Sequence, residues 1–84
     1  MSDVLSDDDI FKAFGGRCGR CIVNPAVCIH EIEPRSLRRD WQVFENRIPL
    51  CNECHEIVHK DGATNHIEEL RAARRMALRL TKDL

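Results

Sequence analysis

The sequence has few large aromatic side chains. Among its 84 residues there are three phenylalanines, one tryptophan and no tyrosine. A chain of this length buries only about 60% of its unfolded surface. A core with so few aromatic side chains therefore needs a further source of stability. Small domains usually obtain it from disulfides or from a bound metal ion. We therefore predict one small domain that is held together by a cross-link.

The sequence also lacks a long apolar run and a secretory signal. Its longest uncharged stretch, residues 21–30, contains Asn24 and Pro25 and is far shorter than the roughly 20 apolar residues of a membrane span. No basic segment followed by an apolar one opens the chain, which argues against an extracellular disulfide framework. We expect a soluble, cytoplasmic protein with no membrane partner.

A strong net charge is missing as well. The 13 Lys and Arg residues oppose 14 Asp and Glu residues, which gives a formal net charge of −1. This balance does not by itself favour a polyanionic partner, but the basic residues are clustered. One group is Arg35, Arg38 and Arg39, and another lies in the C-terminal segment. Any contact with a nucleic acid is therefore expected to be local.

Cysteine, in contrast, is abundant and regularly spaced. Cys18 and Cys21 form one C-x2-C pair, and Cys51 and Cys54 form a second. Each pair can give two thiolates to one metal ion, and two pairs complete the tetrahedron of a structural zinc site. We predict structural Zn²⁺ in preference to disulfides or free thiols. Cys28 has no such neighbour and is expected to be a small, buried, apolar residue.

Local patterns predict the order of helices and strands. Ser6 and Asp9 indicate an N-cap, and Gly, Pro and Asn residues separate the following segments. The predicted elements are a helix at 7–14, a strand at 27–32, a loop at 33–45, an edge strand at 47–50, a helix starting at 51 or 52 and ending at 59, and a helix at 65–84.

The last predicted helix is amphipathic. Its apolar stripe, at spacings of three and four residues, comprises Leu70, Ala73, Ala77, Leu80 and Leu84. Its basic side comprises Arg71, Arg75, Arg79 and Lys82. The basic side is expected to be exposed, and its sign suits the backbone of a nucleic acid.

Three histidines have the spacing of metal ligands. His55 and His59 are four residues apart in a predicted helix, so their rings project from one face and can bind one metal ion. His30 supplies a third ligand if the first strand packs across that helix. Three protein ligands leave positions open for water and substrate, as in catalytic sites. His66 has no partner at ligand spacing and is expected to be solvated.

The runs IHEIEPRS and NRIPLCNECHEIVH resemble the HNH endonucleases, also called the His-Me finger or ββα-metal family. The likeness is greatest to the short phage forms with two cysteine pairs, and it covers residues 18–59. Together with the flanking predicted helices, it gives an expected single small α+β domain over residues 1–84. The N-terminal helix lies in residues 1–16, the zinc-stapled ββα-metal core in 17–62, and the C-terminal amphipathic helix in 63–84.

The resemblance also implies roles for individual residues. His30, His55 and His59 correspond to the ligands of one catalytic divalent cation, which could be Mn²⁺, Mg²⁺, Ni²⁺ or Zn²⁺. Asn46 corresponds to the central asparagine, whose side chain bonds across the loop and positions the backbone near the general base. Without the resemblance, an asparagine in a polar stretch is ordinarily a loop residue.

One position departs from the family pattern. Glu31 stands three residues before Pro34, where most members carry a histidine that acts as general base. A carboxylate can accept a proton from water, but its reference pKa of about 4.3 makes it a weaker base than imidazole. In an alternative alignment His30 is the base and another group is the ligand. Both assignments stay open at this stage.

The expected function is hydrolysis of phosphodiester bonds in DNA by a metal-dependent endonuclease that nicks as a monomer. Arg35, Arg38 and Arg39 are expected to hold phosphates near the metal. The alternative is a non-catalytic zinc module that binds DNA or protein, such as a subunit of a phage packaging or recombination complex with a phage protein as partner. A phage-encoded protein would act in the host cytoplasm. The sequence leaves the oligomeric state open.

Overall fold

The computed structural model describes residues 6–82. Within this range the chain forms a small α+β fold with three α-helices, two β-strands and two single-turn 3-10 helices. In chain order they are α1 (Asp7–Ala13), β1 (Cys28–Glu31), the 3-10 helix Phe44–Asn46, β2 (Arg47–Leu50), α2 (Asn52–Asp61), the 3-10 helix Ala63–His66 and α3 (Ile67–Lys82). No helix in the described range combines the length and the apolar character needed to cross a bilayer.

Helix α1 begins at a capping box. The hydroxyl of Ser6 accepts a hydrogen bond from the N–H of Asp9, and the carboxylate of Asp9 accepts one from the N–H of Ser6. Three aspartates in the first turn place negative charge at the positive end of the helix dipole. The helix ends at Phe14, and Gly15 follows with a φ of 65°. The prediction of a helix at residues 7–14 is confirmed to within one residue.

Strands β1 and β2 form an antiparallel pair with Cys28 opposite Leu50. The pairing extends beyond the strands, because the N–H of Ile32 donates to the carbonyl of Asn46 at 2.7 Å. Pro49 lacks an N–H, which a sheet of two strands tolerates because each strand has a free edge. The strand predicted at 47–50 is confirmed, and the one predicted at 27–32 is shorter by one residue at each end.

Two clusters of buried side chains form the core. The larger one surrounds the cysteines and consists of Cys18, Ile32, Ile48, Leu50, Cys51, Cys54, Val58 and Leu70. The smaller one joins α1 to α3 and consists of Ile10, Phe14 and Ala77, with Phe44 packed against it. Gly19 packs tightly on the larger cluster, because a Cβ there would lie 2.6 Å from the Cγ1 of Ile48. The first cysteine pair therefore sits directly on the sheet.

The inward face of α3 differs from the predicted apolar stripe. Leu70 and Ala77 are buried as expected, but Leu80 is 45% exposed. The side chain buried between Leu70 and Ala77 is Arg74. Leu84 lies outside the described residues. The predicted stripe is therefore wrong at Leu80, and the buried face of α3 also includes a charged residue.

Arg74 can be buried because its donors and its flat face both find partners. Its Nη2 donates to the carbonyl of Phe44 at 2.9 Å, and its Nε donates to the carbonyl of Arg47 at 3.2 Å. Its guanidinium carbon lies 4.3 Å from the ring centroid of Phe44, an attractive cation–π distance. Arg74 therefore fastens α3 to the chain segment that precedes and opens β2.

Candidate metal centre

The four cysteines of the two C-x2-C pairs converge on one point. Their sulfur atoms all lie within 4.8 Å of one another, and those of Cys21 and Cys51 are 3.9 Å apart. A tetrahedral zinc ion with Zn–S bonds of about 2.3 Å requires sulfurs about 3.8 Å apart. All five cysteines of the chain are free of disulfides. Cys18, Cys21, Cys51 and Cys54 are therefore positioned to bind one metal ion, and they fit a structural zinc site.

Backbone N–H groups point at the sulfurs from both pairs. The N–H groups of Arg20 and Cys21 donate to the sulfur of Cys18 at 3.3 and 3.5 Å. The N–H of Cys54 donates to the sulfur of Cys51 at 3.4 Å, which makes Cys51 the N-cap of α2. Such donors stabilise negative charge on thiolates and fix their direction toward a metal. The second pair is thus part of the start of a helix.

The ionisation of the two sulfurs at the start of α2 is not uniform. Burial raises the pKa of Cys54 to about 12. Burial also acts to raise the pKa of Cys51, but hydrogen bonds from the N–H of Cys54 and the amide of Asn24 lower it to about 7. The guanidinium of Arg20 donates to the sulfur of Cys54 at 3.4 Å. A bound cation would supply the remaining positive charge that four clustered thiolates require.

The fifth cysteine, Cys28, lies outside this cluster. Its side chain is half-buried against the cysteine-rich core, and its thiol donates to the carbonyl of Leu50 at 3.6 Å. Burial raises the pKa of this thiol. The residue therefore packs as a neutral thiol next to the metal centre without joining it.

The histidines lie on the neighbouring part of α2 and on β1. The rings of His55 and His59 are in edge contact, with centroids 4.3 Å apart. The Nε2 atom of His30 is buried and has no hydrogen-bond partner among residues 6–82. Burial, followed by the charges of His55, His59 and His66, lowers the pKa of His30 to about 4. His30 is therefore a neutral imidazole with an unsatisfied nitrogen, the form that binds metals.

These three rings do not converge as tightly as the four sulfurs. Among the described residues, the cysteines are the one set of three or more metal-binding side chains whose ligand atoms meet within 4.8 Å. His59 is exposed and His55 is half-buried. His55 and His59 are thus in contact, and His30 lies near them. The ligand atoms of the three rings are farther apart than those of a closed coordination sphere.

Glu31 is the last residue of β1. Side chains alternate along a strand, so Glu31 projects from the face opposite to that of His30. Its Oε2 atom is buried without a hydrogen-bond partner within residues 6–82, and it forms an ion pair with the Nε of Arg35 at 3.5 Å. The carboxylate therefore has spare capacity as an acceptor, but it is separated from the histidine rings by the strand.

Asn46 is buried and fastens the loop between the strands. Its Oδ1 accepts from the N–H of Glu33 at 2.8 Å. Its Nδ2 donates to the carbonyls of Glu33 and Trp41, both at 2.9 Å. One side chain thereby ties the start of the loop to its later part and fixes the backbone two residues after Glu31.

The three arginines after β1 have different surroundings. The guanidinium of Arg35 lies 3.8 Å from the ring centroid of Trp41, and its side chain is 66% exposed. Arg38 donates two hydrogen bonds to Asp40, at 2.7 and 3.3 Å. Arg39 is exposed. Arg39 therefore presents its charge to solvent, whereas Arg35 also pairs with Glu31 and the charge of Arg38 is compensated by Asp40.

His66 was predicted to be solvated, and this is wrong. The residue is only 8% exposed. Its Nε2 lies 3.1 Å from a carboxylate oxygen of Asp61, and its Nδ1 lies 3.3 Å from Glu69, which also accepts from Arg20 at 2.6 Å. Arg20 in turn contacts the sulfur of Cys54. The sequence signal that could have revealed this position is the glutamate three residues later, in the first turn of α3.

Comparisons of the chain with protein-family models, with curated proteins and with solved structures found no match.

Proposed function

We propose that this protein is a metal-dependent DNA endonuclease of the HNH type. In this proposal β1, β2 and α2 form the ββα-metal finger, and the four cysteines hold structural Zn²⁺, which thiolates select. The observation that carries the proposal is the buried, unpartnered Nε2 of His30 close to α2. An unsatisfied buried polar atom costs about 1–3 kcal/mol. A metal ion shared with His55 and His59 removes that cost.

The proposed site divides the chemistry among a few side chains. A divalent cation held by His30, His55 and His59 would supply Lewis-acid stabilisation of the charge on the cleaved phosphate. Asn46 holds the loop backbone so that the end of β1 keeps its position. Arg39, which is exposed, and Arg35, whose side chain is 66% exposed although it pairs with Glu31, would donate to phosphate oxygens.

The proton acceptor has two candidate assignments. The family pattern favours Glu31, whose Oε2 lacks a hydrogen-bond partner among the described residues. Strand alternation favours His30 instead, because Glu31 projects from the opposite face of β1. The charges of His55 and His59 on α2 also act on the ring of His30 and lower its pKa. The two assignments predict different cleavage rates and metal affinities for variants of Glu31 and His30.

A plasmid-nicking assay tests the proposal directly. Zinc-loaded protein is incubated with supercoiled DNA and Mg²⁺, Mn²⁺, Ni²⁺ or additional Zn²⁺, because imidazole and phosphate ligands favour different ions. We expect conversion to the nicked circle with at least one of them. His59→Ala should abolish nicking while the melting temperature stays near that of the wild type, since His59 is exposed. Lys60→Ala, an exposed neighbour on the same helix, should cut normally.

A non-catalytic zinc module that binds DNA is the second candidate. The wide spacing of the three histidine rings favours it, because the ligand atoms of His30, His55 and His59 do not meet within 4.8 Å as the sulfurs do. Absence of nicking with all four cations, together with retained DNA binding, would support this module and contradict the endonuclease.

A further inference from the structure

A cleft between α3 and the loop after β1 is lined mainly by guanidinium groups. Its volume is about 250 Å³, and its lining consists of Arg38, Arg71, Arg74, Arg75 and Glu45. Four arginines and one glutamate thus line one cavity, and Glu33, Asp40 and Glu68, which do not line it, pair with Arg38 or Arg71. The three that α3 contributes lie within two turns of the helix.

The structure fixes three of these arginines in place. Arg74 is anchored by the carbonyl oxygens of Phe44 and Arg47 and forms a buried part of the wall. Arg38 and Arg71 both contact the carboxylate of Glu33, one on each of its oxygens. A single acid therefore holds two guanidinium groups side by side. Each guanidinium has five N–H donors, so these contacts leave donors available to a ligand in the cleft.

Arg75 differs because it is exposed at the edge of the cleft. Within residues 6–82, no carboxylate lies within ion-pairing distance of it, in contrast to Arg71, which also pairs with Glu68 at 3.2 Å. Arg75 additionally lines a second surface cavity together with Arg79. Residues four apart are displaced by about 6 Å along a helix. Arg71, Arg75 and Arg79 therefore form a row of guanidinium groups along α3.

We propose that this cleft and row bind the phosphate backbone of duplex DNA. Guanidinium groups bind phosphate oxygens through paired N–H donors, and a row of them suits a polyanion better than it suits a single small anion. The assignment rests on the proposed function for its choice of DNA. It adds DNA contacts beyond those of the histidines, Arg35 and Arg39, and these contacts hold the substrate without taking part in cleavage.

Binding can be measured without cleavage. We would follow the fluorescence anisotropy of a short labelled duplex with zinc-loaded protein in buffer that has neither chelator nor added divalent cation. Each phosphate contact contributes about 0.9 to the slope of log affinity against log salt concentration. Arg75→Gln should therefore reduce the magnitude of this negative slope by about 0.9. The corresponding loss of affinity is about 15-fold at about 50 mM salt and about 4-fold at about 200 mM salt.

Two further variants make the test specific. Arg71→Gln combined with Arg75→Gln should lower the slope by about 1.8. Arg17→Gln removes the same charge from an exposed arginine that lines a different cavity, with Phe14 and Leu80, and should leave the slope unchanged. Should the double variant unfold, the single Arg75→Gln still decides the question, because Arg75 is exposed.

The outcomes separate this inference from the endonuclease proposal. A wild-type slope for Arg75→Gln overturns the cleft assignment even if the protein nicks DNA. An equal loss for Arg17→Gln also overturns it, because net charge would then explain the effect. The expected loss for Arg75→Gln in a protein that never nicks supports the cleft and contradicts the endonuclease.

Discussion

Replacing Cys54 with serine should release the structural metal and destabilise the whole domain. The residue is 3% exposed, and its sulfur belongs to the four that meet within 4.8 Å. A serine hydroxyl is a poor ligand for zinc beside three thiolates, so the tetrahedron is left open. The guanidinium of Arg20, which donates to this sulfur at 3.4 Å, also loses a negatively charged acceptor.

The size of the effect follows from the number of ligands. Structural zinc contributes an apparent binding free energy of about 10–16 kcal/mol, or about 2.5–4 kcal/mol for each of four equal ligands. The dissociation constant for zinc should therefore rise by roughly 10²–10³-fold. A small domain has a total stability of roughly 4–13 kcal/mol at this length. A loss of that size should lower the melting temperature by about 10–30 °C.

Zinc stoichiometry, chromophoric chelator competition and thermal unfolding by circular dichroism measure these quantities on one preparation. Cys28→Ser is the matched control, because Cys28 is half-buried nearby and its hydroxyl replacement can still donate to the carbonyl of Leu50. It should keep one zinc ion and nearly the full melting temperature. If Cys54→Ser retains a full equivalent of zinc with a normal melting temperature, or if Cys28→Ser loses the metal, the four-cysteine assignment is refuted.

Two further predictions concern the end of β1 and helix α3. If Glu31 is the base, Glu31→Gln should slow single-turnover cleavage by roughly 10²–10⁴-fold with unchanged metal affinity, and Glu31→His should restore the rate. A wild-type rate for Glu31→Gln, with retained metal in His30→Ala, would make His30 the base. Arg74→Met should cost about 2–6 kcal/mol in chemical denaturation, because two carbonyls lose their donor. Arg75→Met should cost less than about 0.5 kcal/mol, and equal costs would contradict the anchoring role.

Local patterns predicted the helices and strands well. The capping box sets the start of α1, and its two residues, Ser6 and Asp9, are only three positions apart in the chain. The second cysteine pair coincides with the start of α2. The cysteine cluster was predictable for a similar reason, since two C-x2-C pairs offer four ligands of one kind at a spacing that few other structures use. Signals of this sort need no knowledge of which distant segments meet.

The contacts between residues that are distant in the chain could not be predicted from the sequence. Arg74 is buried because the carbonyls of Phe44 and Arg47 lie about 30 residues earlier in the chain and accept its hydrogen bonds. His66 is buried because Asp61 and Glu69 reach its ring from opposite sides. Hydrophobic periodicity treats such charged and polar residues as surface, and only the folded arrangement reveals that their partners are satisfied.

The two candidate metal sites share helix α2, and the histidine site depends on the cysteine site more than the reverse. The sulfur of Cys51 caps the helix, and Cys54 lies in its first turn, so a metal ion on the cysteines fixes where α2 begins and how it is rotated. Each residue advances the helix by about 100°, and the direction of the rings of His55 and His59 therefore follows from that rotation. Loss of the structural ion must disturb the histidines, whereas loss of a histidine leaves the four sulfurs in place. In the proposed endonuclease, removal of zinc should therefore end cleavage even with an excess of the catalytic cation, while His59→Ala ends cleavage and keeps its zinc.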